Sequence, residues 1–243
     1  MHRFVLIVLL AAGPLVADEY RVTRDLQVLY DFDKVESGEI ADRSGVGKAI
    51  PLTIKDADNV RLADGRLQIV KPTLIESREA PTRLTRAIKR SGSLTLEAWI
   101  ATQNTRQEGP ARVVTISQDS TNRNLTLGQE FAAWDVRLRT TKTNSNGIPS
   151  LQAPKNSVQT RMTHLVYTHA KNGVTRIYLD GKKVAERQVG GNLSAWGDDY
   201  RIGIGNELSG DRVWLGTIDL VAIFSRDLSA AEVQQNFAAG PSG

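Results

Sequence analysis

Apolar side chains alternate with polar ones along much of this chain, and that period of two constrains the fold more than any other feature. Leu94, Leu96, Ala98 and Ile100 alternate with Thr95, Glu97 and Trp99. Successive side chains of an extended strand point to opposite faces, so this run predicts a strand with one aliphatic face. Trp134, Val136 and Leu138 alternate in the same way with Asp135, Arg137 and Arg139, as do Ile202 and Ile204 with Gly203 and Gly205. Residues 113–116 and 164–168 are β-branched and aromatic runs of strand length. The most specific local signal is a hairpin, in which residues 174–179 lead through Asp180-Gly181 into residues 182–185. Asp-Gly supplies the positive φ angles of a type I′ turn. Asn172-Gly173 marks a second turn just upstream, so the two bracket a strand of ordinary length.

Only one segment carries a helix signature. Ser229-Ala230-Ala231-Glu232 has the pattern of a capping box, Val233 and Phe237 share a face, and Gly240 can end the helix. The polar stretch 140–156, with Asn144, Asn146, Gly147, Pro149 and Pro154, predicts a long surface loop. Many short strands and a single terminal helix predict an all-β fold. Its expected form is a two-sheet antiparallel jelly-roll sandwich with a short C-terminal helix, occupying residues 18–243 as one domain. A chain of 243 residues buries a substantial core without staples. There is no cysteine, which excludes disulfides, thiolate metal ligands, a cysteine nucleophile and lipid attachment through cysteine.

Residues 1–17 read as an export signal: a positive start at Arg3, an apolar run over 4–12, a break at Gly13-Pro14 and a small residue at Ala17. The run falls short of the roughly 20 apolar residues that span a bilayer. Cleavage after Ala17 and a secreted or periplasmic, soluble protein without membrane insertion are therefore expected. The formal charge of +4 becomes +3 once Arg3 leaves. The densest basic patch is Arg83, Arg86, Lys89 and Arg90. Either it is a solvated surface segment, or it attracts acidic polysaccharide, anionic cell-wall polymer or nucleic acid; export argues against nucleic acid.

Several motifs together resemble the laminin G-like branch of the concanavalin A-like lectin/glucanase superfamily. Tyr178-Leu179-Asp180-Gly181-Lys182 resembles its hairpin, and Arg201-Ile202-Gly203 one of its strands. Residues 214–219, followed by 223–226 and 228–232, resemble its closing strand and capped helix. Residues 29–33 with Asp42-Arg43-Ser44-Gly45 resemble its opening strand and turn, and residues 93–99 the strand that follows. The likeness covers most of residues 26–237. It departs at Met162-Thr163, where a Trp usually leads the strand, and at Leu220, where an acidic residue often follows Asp219. The resemblance implies a two-sheet jelly roll, frequently secreted, that binds sugars or proteins.

It also implies a possible Ca2+ ion, with Asp42 and Asp219 as the positions to carry over. Hard cations need several converging oxygens, and the alternative for Asp42 is a turn residue bonding its own backbone. For a sugar, the candidate group is Trp196, Asp198, Asp199 and Tyr200, an aromatic and carboxylates flanked by glycines. There the ring would stack on a sugar face and the carboxylates accept from hydroxyls. The alternative for Trp196 is a loop tip folded over the core edge. Trp99, Trp134 and Trp214 are expected in the core. The Glu-x-Asp-x-x-Glu spacing of sandwich glycosidases does not occur. Glu97 stands alone on its strand, and His164 and His169 fall on opposite faces. No Gly-x-Ser-x-Gly elbow is present. The expected function is non-enzymatic recognition of a glycan or polysaccharide. The alternatives are a protein-interaction or adhesion module of an envelope or matrix, or a structural role without a small ligand.

Overall fold

The computed structural model describes residues 20–33 and 35–241; the expected export signal at 1–17 lies outside them. Among the described residues two antiparallel sheets, of eight and nine strands, face each other. In the first, the order is Lys182–Gln188, Val174–Leu179, Thr163–His169, Leu94–Thr102, Gly216–Phe224, Arg66–Ile69 and Val60–Ala63. Leu26–Asp31 also pairs with Gly216–Phe224. In the second, the order is Leu151–Gln152, Ala133–Leu138, Arg123–Glu130, Ala111–Ser117, Arg201–Ile204, Ile75–Ser77, Leu52–Ile54, Glu39–Ile40 and Val35–Glu36. This is the expected jelly-roll sandwich. The Asp-Gly hairpin forms with φ of 48° at Asp180 and 75° at Gly181.

The inner faces make one apolar core. Leu94, Leu96, Ala98 and Ile100 meet Val114, Ile116, Leu125, Leu127, Trp134 and Val136 from the opposite sheet, with Trp214 among them. Such burial is what the period of two encodes, since one face of each strand must leave water. The stretch 140–156 is irregular except for the short strand Leu151–Gln152 at the edge of the second sheet.

Two helices are present among the described residues, one more than the sequence signature indicates. The first, α1, runs Thr82–Ser91 and buries Leu84, Thr85 and Ile88; it ends on Gly92 in the left-handed region. The second, α2, runs Ala230–Ala239 and carries the expected capping box between Ser229 and Glu232. It lies over the outer face of the first sheet, where Trp99, Val166, Tyr178, Leu220, Phe224 and Val233 form a second apolar cluster. The strand at 94–102 is therefore buried on both faces, Thr95 and Glu97 included.

Candidate functional site

The segment 192–200 begins as a short turn of 3-10 helix capped by the Asn192 side chain, which accepts from Ser194 N–H. Leu193 and Trp196 then drop into the core, and Trp196 is only 2% exposed. Its indole N–H donates to the Arg139 carbonyl at 2.9 Å. Tyr200 is buried as well, and its hydroxyl accepts from the Arg139 guanidinium at 3.1 Å. Asn124 clamps the turn, donating to the Gly197 carbonyl and accepting from the Gly197 N–H, each at 2.8 Å. A Cβ at Gly197 would sit 2.7 Å from the Tyr200 ring, so the ring packs directly on this backbone. The exposed stacking face expected of Trp196 is thus absent: the ring is spent on the core edge. Asp198 and Asp199 are what the rigid turn holds out to solvent.

That turn lies beside α1. Asp198 pairs with Lys89 at 2.7 Å, and together with Thr82, Arg86 and Arg90 they line an open cleft of about 480 Å³. The structure therefore joins two features far apart in sequence, the basic patch and the carboxylate turn. Arg83 is separate from the cleft: its guanidinium turns inward to Asp42 and the Gln27 carbonyl. On the far side of Thr82 a second depression of about 330 Å³ is lined by Lys48, Ile50, Arg78, Glu79, Pro81 and Arg83, among others.

The carboxylates carried over for calcium do not converge. Asp42 Oδ1 accepts from the N–H groups of Leu29 and Ser44, and Oδ2 from Ile50 N–H and Arg83. Its side chain is fully buried and its oxygens already have partners. Asp219 accepts from Arg66 Nε at 2.9 Å and lines a depression with Asp31, Asp33 and Arg43, to which Asp42 does not contribute. Leu220 faces the α2 cluster instead of solvent. Among the described residues no three His, Asp or Glu side chains gather around one cation position. N–H and guanidinium donors occupy the places a hard cation would need, so this donor set does not fit calcium.

The outer face of the second sheet carries a polar row, Arg137, Thr126, Thr115, Gly203 and Glu76, in register across five strands. The loop after Ile204 closes over it: Leu208 reaches within 3.1 Å of where a Gly203 Cβ would stand. Glu207 follows it down between Arg112 (2.8 Å) and Arg123 (3.9 Å), all three side chains being fully buried. Burial, and then the neighbouring Arg112 charge, bring the Arg123 guanidinium down to about 9. On the other sheet Glu97 is buried under α2, accepting from Arg21, from Asn236 at 2.7 Å and from His164 at 2.8 Å. This network escaped the sequence reading because strand order alone brings 163–169 beside 94–102.

The chain is a jelly-roll sandwich with α2 over part of one outer face and the loop after Ile204 over part of the other. Residues 78–234 match the family model of the concanavalin A-like lectin/glucanases superfamily. The chain belongs to that superfamily. Among solved structures, the chain is similar to the binding domain of botulinum neurotoxin DC in complex with rat synaptotagmin II, at 14% identity and a TM-score of 0.66. That alignment covers 88% of this chain and 51% of the other. It is also similar to botulinum neurotoxin type C, whose cell entry depends on two ganglioside molecules, with the same identity, coverage and TM-score. The receptor binding domain of botulinum neurotoxin type G aligns at 14% identity, 88% and 51% coverage, and a TM-score of 0.63. The chain spans about half the length of these structures, and at such identity the likeness shows the fold. No curated protein matches the sequence.

Proposed function

We propose that this chain is an exported, non-catalytic recognition module that binds a glycan in the cleft between α1 and the 196–200 turn. The observation that carries the reading is the open cleft itself, where Arg86, Lys89, Arg90, Thr82 and Asp198 meet. Donors and an acceptor so placed suit a ligand rich in hydroxyls and carboxylates. Membership of a lectin-like superfamily supports it, as do the neighbours' roles as binding domains, one of them with gangliosides. The non-catalytic reading is supported by Glu97 and Glu207, whose carboxylates are fully buried in ion pairs.

Binding of the mature protein to a broad polysaccharide and glycan panel, with calcium and with chelator, tests the reading. Selective capture of a glycan is the expected result, and silence across the panel would sink it. N-terminal sequencing of protein recovered outside the cell should begin at Asp18. A second reading, docking of an envelope or matrix protein, is favoured by Phe131. This ring is 50% exposed at the tip of the hairpin between Arg123–Glu130 and Ala133–Leu138, held at a φ of 53°. If Phe131→Ala abolishes capture of a protein partner while the glycan panel stays silent, that reading replaces the first.

A further inference from the structure

We infer that the ligand of the α1 cleft is an acidic polysaccharide whose carboxylate or sulfate groups are held by Arg86 and Arg90. This deepens the glycan reading above and rests on it. The first ground is the composition of α1. Its sequence, TRLTRAIKRS, holds four cations and no anion. Arg86 and Arg90 stand one turn apart, where like charges oppose helix formation. Arg83 sits in the first turn, at the positive end of the helix dipole, where the helix itself carries no acid and the charge is answered from outside by Asp42. The position before the helix is Pro81, which offers no side-chain cap. The same chain builds α2 by the opposite rules, with a capping box and Glu232 in the first turn. Arg83 and Lys89 contribute ion pairs to the fold, and Arg90 lies in the last turn, where a cation suits the helix dipole. The buried face of α1, however, needs only Leu84, Thr85 and Ile88, and no ion pair of the fold uses Arg86 or Arg90 among the described residues.

The second ground is how those charges are spent. Arg83 is committed to Asp42 and Lys89 to Asp198. Arg86 and Arg90 are exposed, line the cleft, and have no carboxylate within ion-pair distance among the described residues. The cleft has no aromatic lining, so a neutral sugar finds no ring to stack on. What it offers is charge-assisted hydrogen bonding from two guanidinium groups, whose planar forks match carboxylate and sulfate. Asp198 on the rim, with Asp199 exposed beside it, can accept from the free hydroxyls that a glycan carries and duplex DNA does not. Thr82 also lines the second depression, so the two depressions adjoin at the start of α1.

The test pairs polymers that differ only in charge: dextran sulfate against dextran, and polygalacturonate against its methyl ester. Each is titrated onto the purified protein, with duplex DNA as a further probe. The charged member of each pair should bind, the uncharged member should not, and about 0.5 M salt should weaken the complex by screening. Arg86→Gln with Arg90→Gln should weaken binding at least about tenfold, from the loss of two charged hydrogen-bonding groups. The unfolding midpoint of that variant should change little, because relief of the like-charge pair offsets the loss of Arg90 from the last turn of the helix. Arg61→Gln with Lys71→Gln makes the same charge change at exposed positions elsewhere and should leave binding intact. An equal loss in this control would mean general attraction to a basic protein and would overturn the inference. Equal binding of the uncharged polymers, unaffected by the Arg86/Arg90 changes, would overturn it while leaving the glycan reading standing. No binding of any polymer by folded protein would remove both. DNA binding as tight as the glycans, and equally dependent on Arg86 and Arg90, would overturn the choice of a polysaccharide.

Discussion

Glu97 shows how far a single residue's role depends on what the chain folds against it. On its own strand it is an isolated carboxylate between Thr95 and Trp99. In the fold it accepts from Arg21, His164 and Asn236, tying the segment before the first strand, the strand at 163–169 and α2 to one buried point. Trp99, His164 and Phe237 stack around it with ring centroids 4.8–5.8 Å apart. Removing one partner of a buried pair strands the other, which costs about 3–5 kcal/mol. Glu97→Gln should lose stability of that order in urea unfolding, and a loss below about 1 kcal/mol would contradict the network's role. At Asp42 four donors converge on one carboxylate. Asp42→Asn turns an amide donor toward one of them and should cost about 2–3 kcal/mol. Since those donors already fill both oxygens, saturating calcium should leave the melting temperature of the unaltered protein where chelator leaves it. A bound ion at a hundredfold excess over its dissociation constant would instead add about 2.7 kcal/mol. Asp42 was legible as a turn residue, because its bond to Ser44 N–H is local; its bonds to Leu29, Ile50 and Arg83 were not. For Trp196, the flanking glycines point to a loop, but only packing decides which way the ring turns.

At the scale of elements, the two helices differ in how much of their reason is local. Ser229 and Glu232 satisfy each other's backbone N–H groups, so α2 is visible in ten residues of sequence. Ser229→Ala should cost about 1 kcal/mol, read as a fall in the thermal midpoint. The apolar stripe of α1 is little more than Leu84 and Ile88, one turn apart among basic residues. That pattern alone does not distinguish a helix from a solvated segment. Its clearest local mark is Gly92, at a φ of 69° with its N–H on the Ile88 carbonyl. A Cβ there would also meet Lys171 Cγ at 3.3 Å. Gly92→Ala should therefore destabilise by about 1–2 kcal/mol, the cost of a left-handed non-glycine residue; an unchanged midpoint would mean the helix end relaxes freely. The candidate site inherits this asymmetry. Both halves of the cleft were visible as composition, the basic run and the Gly-flanked carboxylates, yet nothing local places Lys89 beside Asp198.

For the whole molecule, the buried ionisable groups set how the sandwich responds to acid. Burial lowers the His169 imidazole from 6.5 to about 4. The unfolded chain therefore takes up a proton that the folded one refuses, and stability falls as pH drops from 6.5 toward 4. For Glu97, burial acts to raise the carboxyl, but the hydrogen bond from His164 and the Arg21 charge outweigh it and bring it from 4.5 down to about 2. Its contribution is present above 4.5 and is lost as pH falls through about 2. Both signs agree, so the melting temperature should decline below about pH 6.5 and more steeply below about 4.5. In His169→Asn the upper part of that decline should vanish, and its persistence would place the titration elsewhere. The sequence by itself determined that the chain is an all-β sandwich, where several of its longer strands lie, and that one helix caps its end. Those follow from periodicity, turn chemistry and capping, which act over a few residues. Tertiary structure decided the strand order, the burial of Glu97 and Trp196, the existence of α1 and the meeting of its arginines with the 196–200 turn. Each of these rests on contacts between segments tens to hundreds of residues apart, for which the local pattern carries no address.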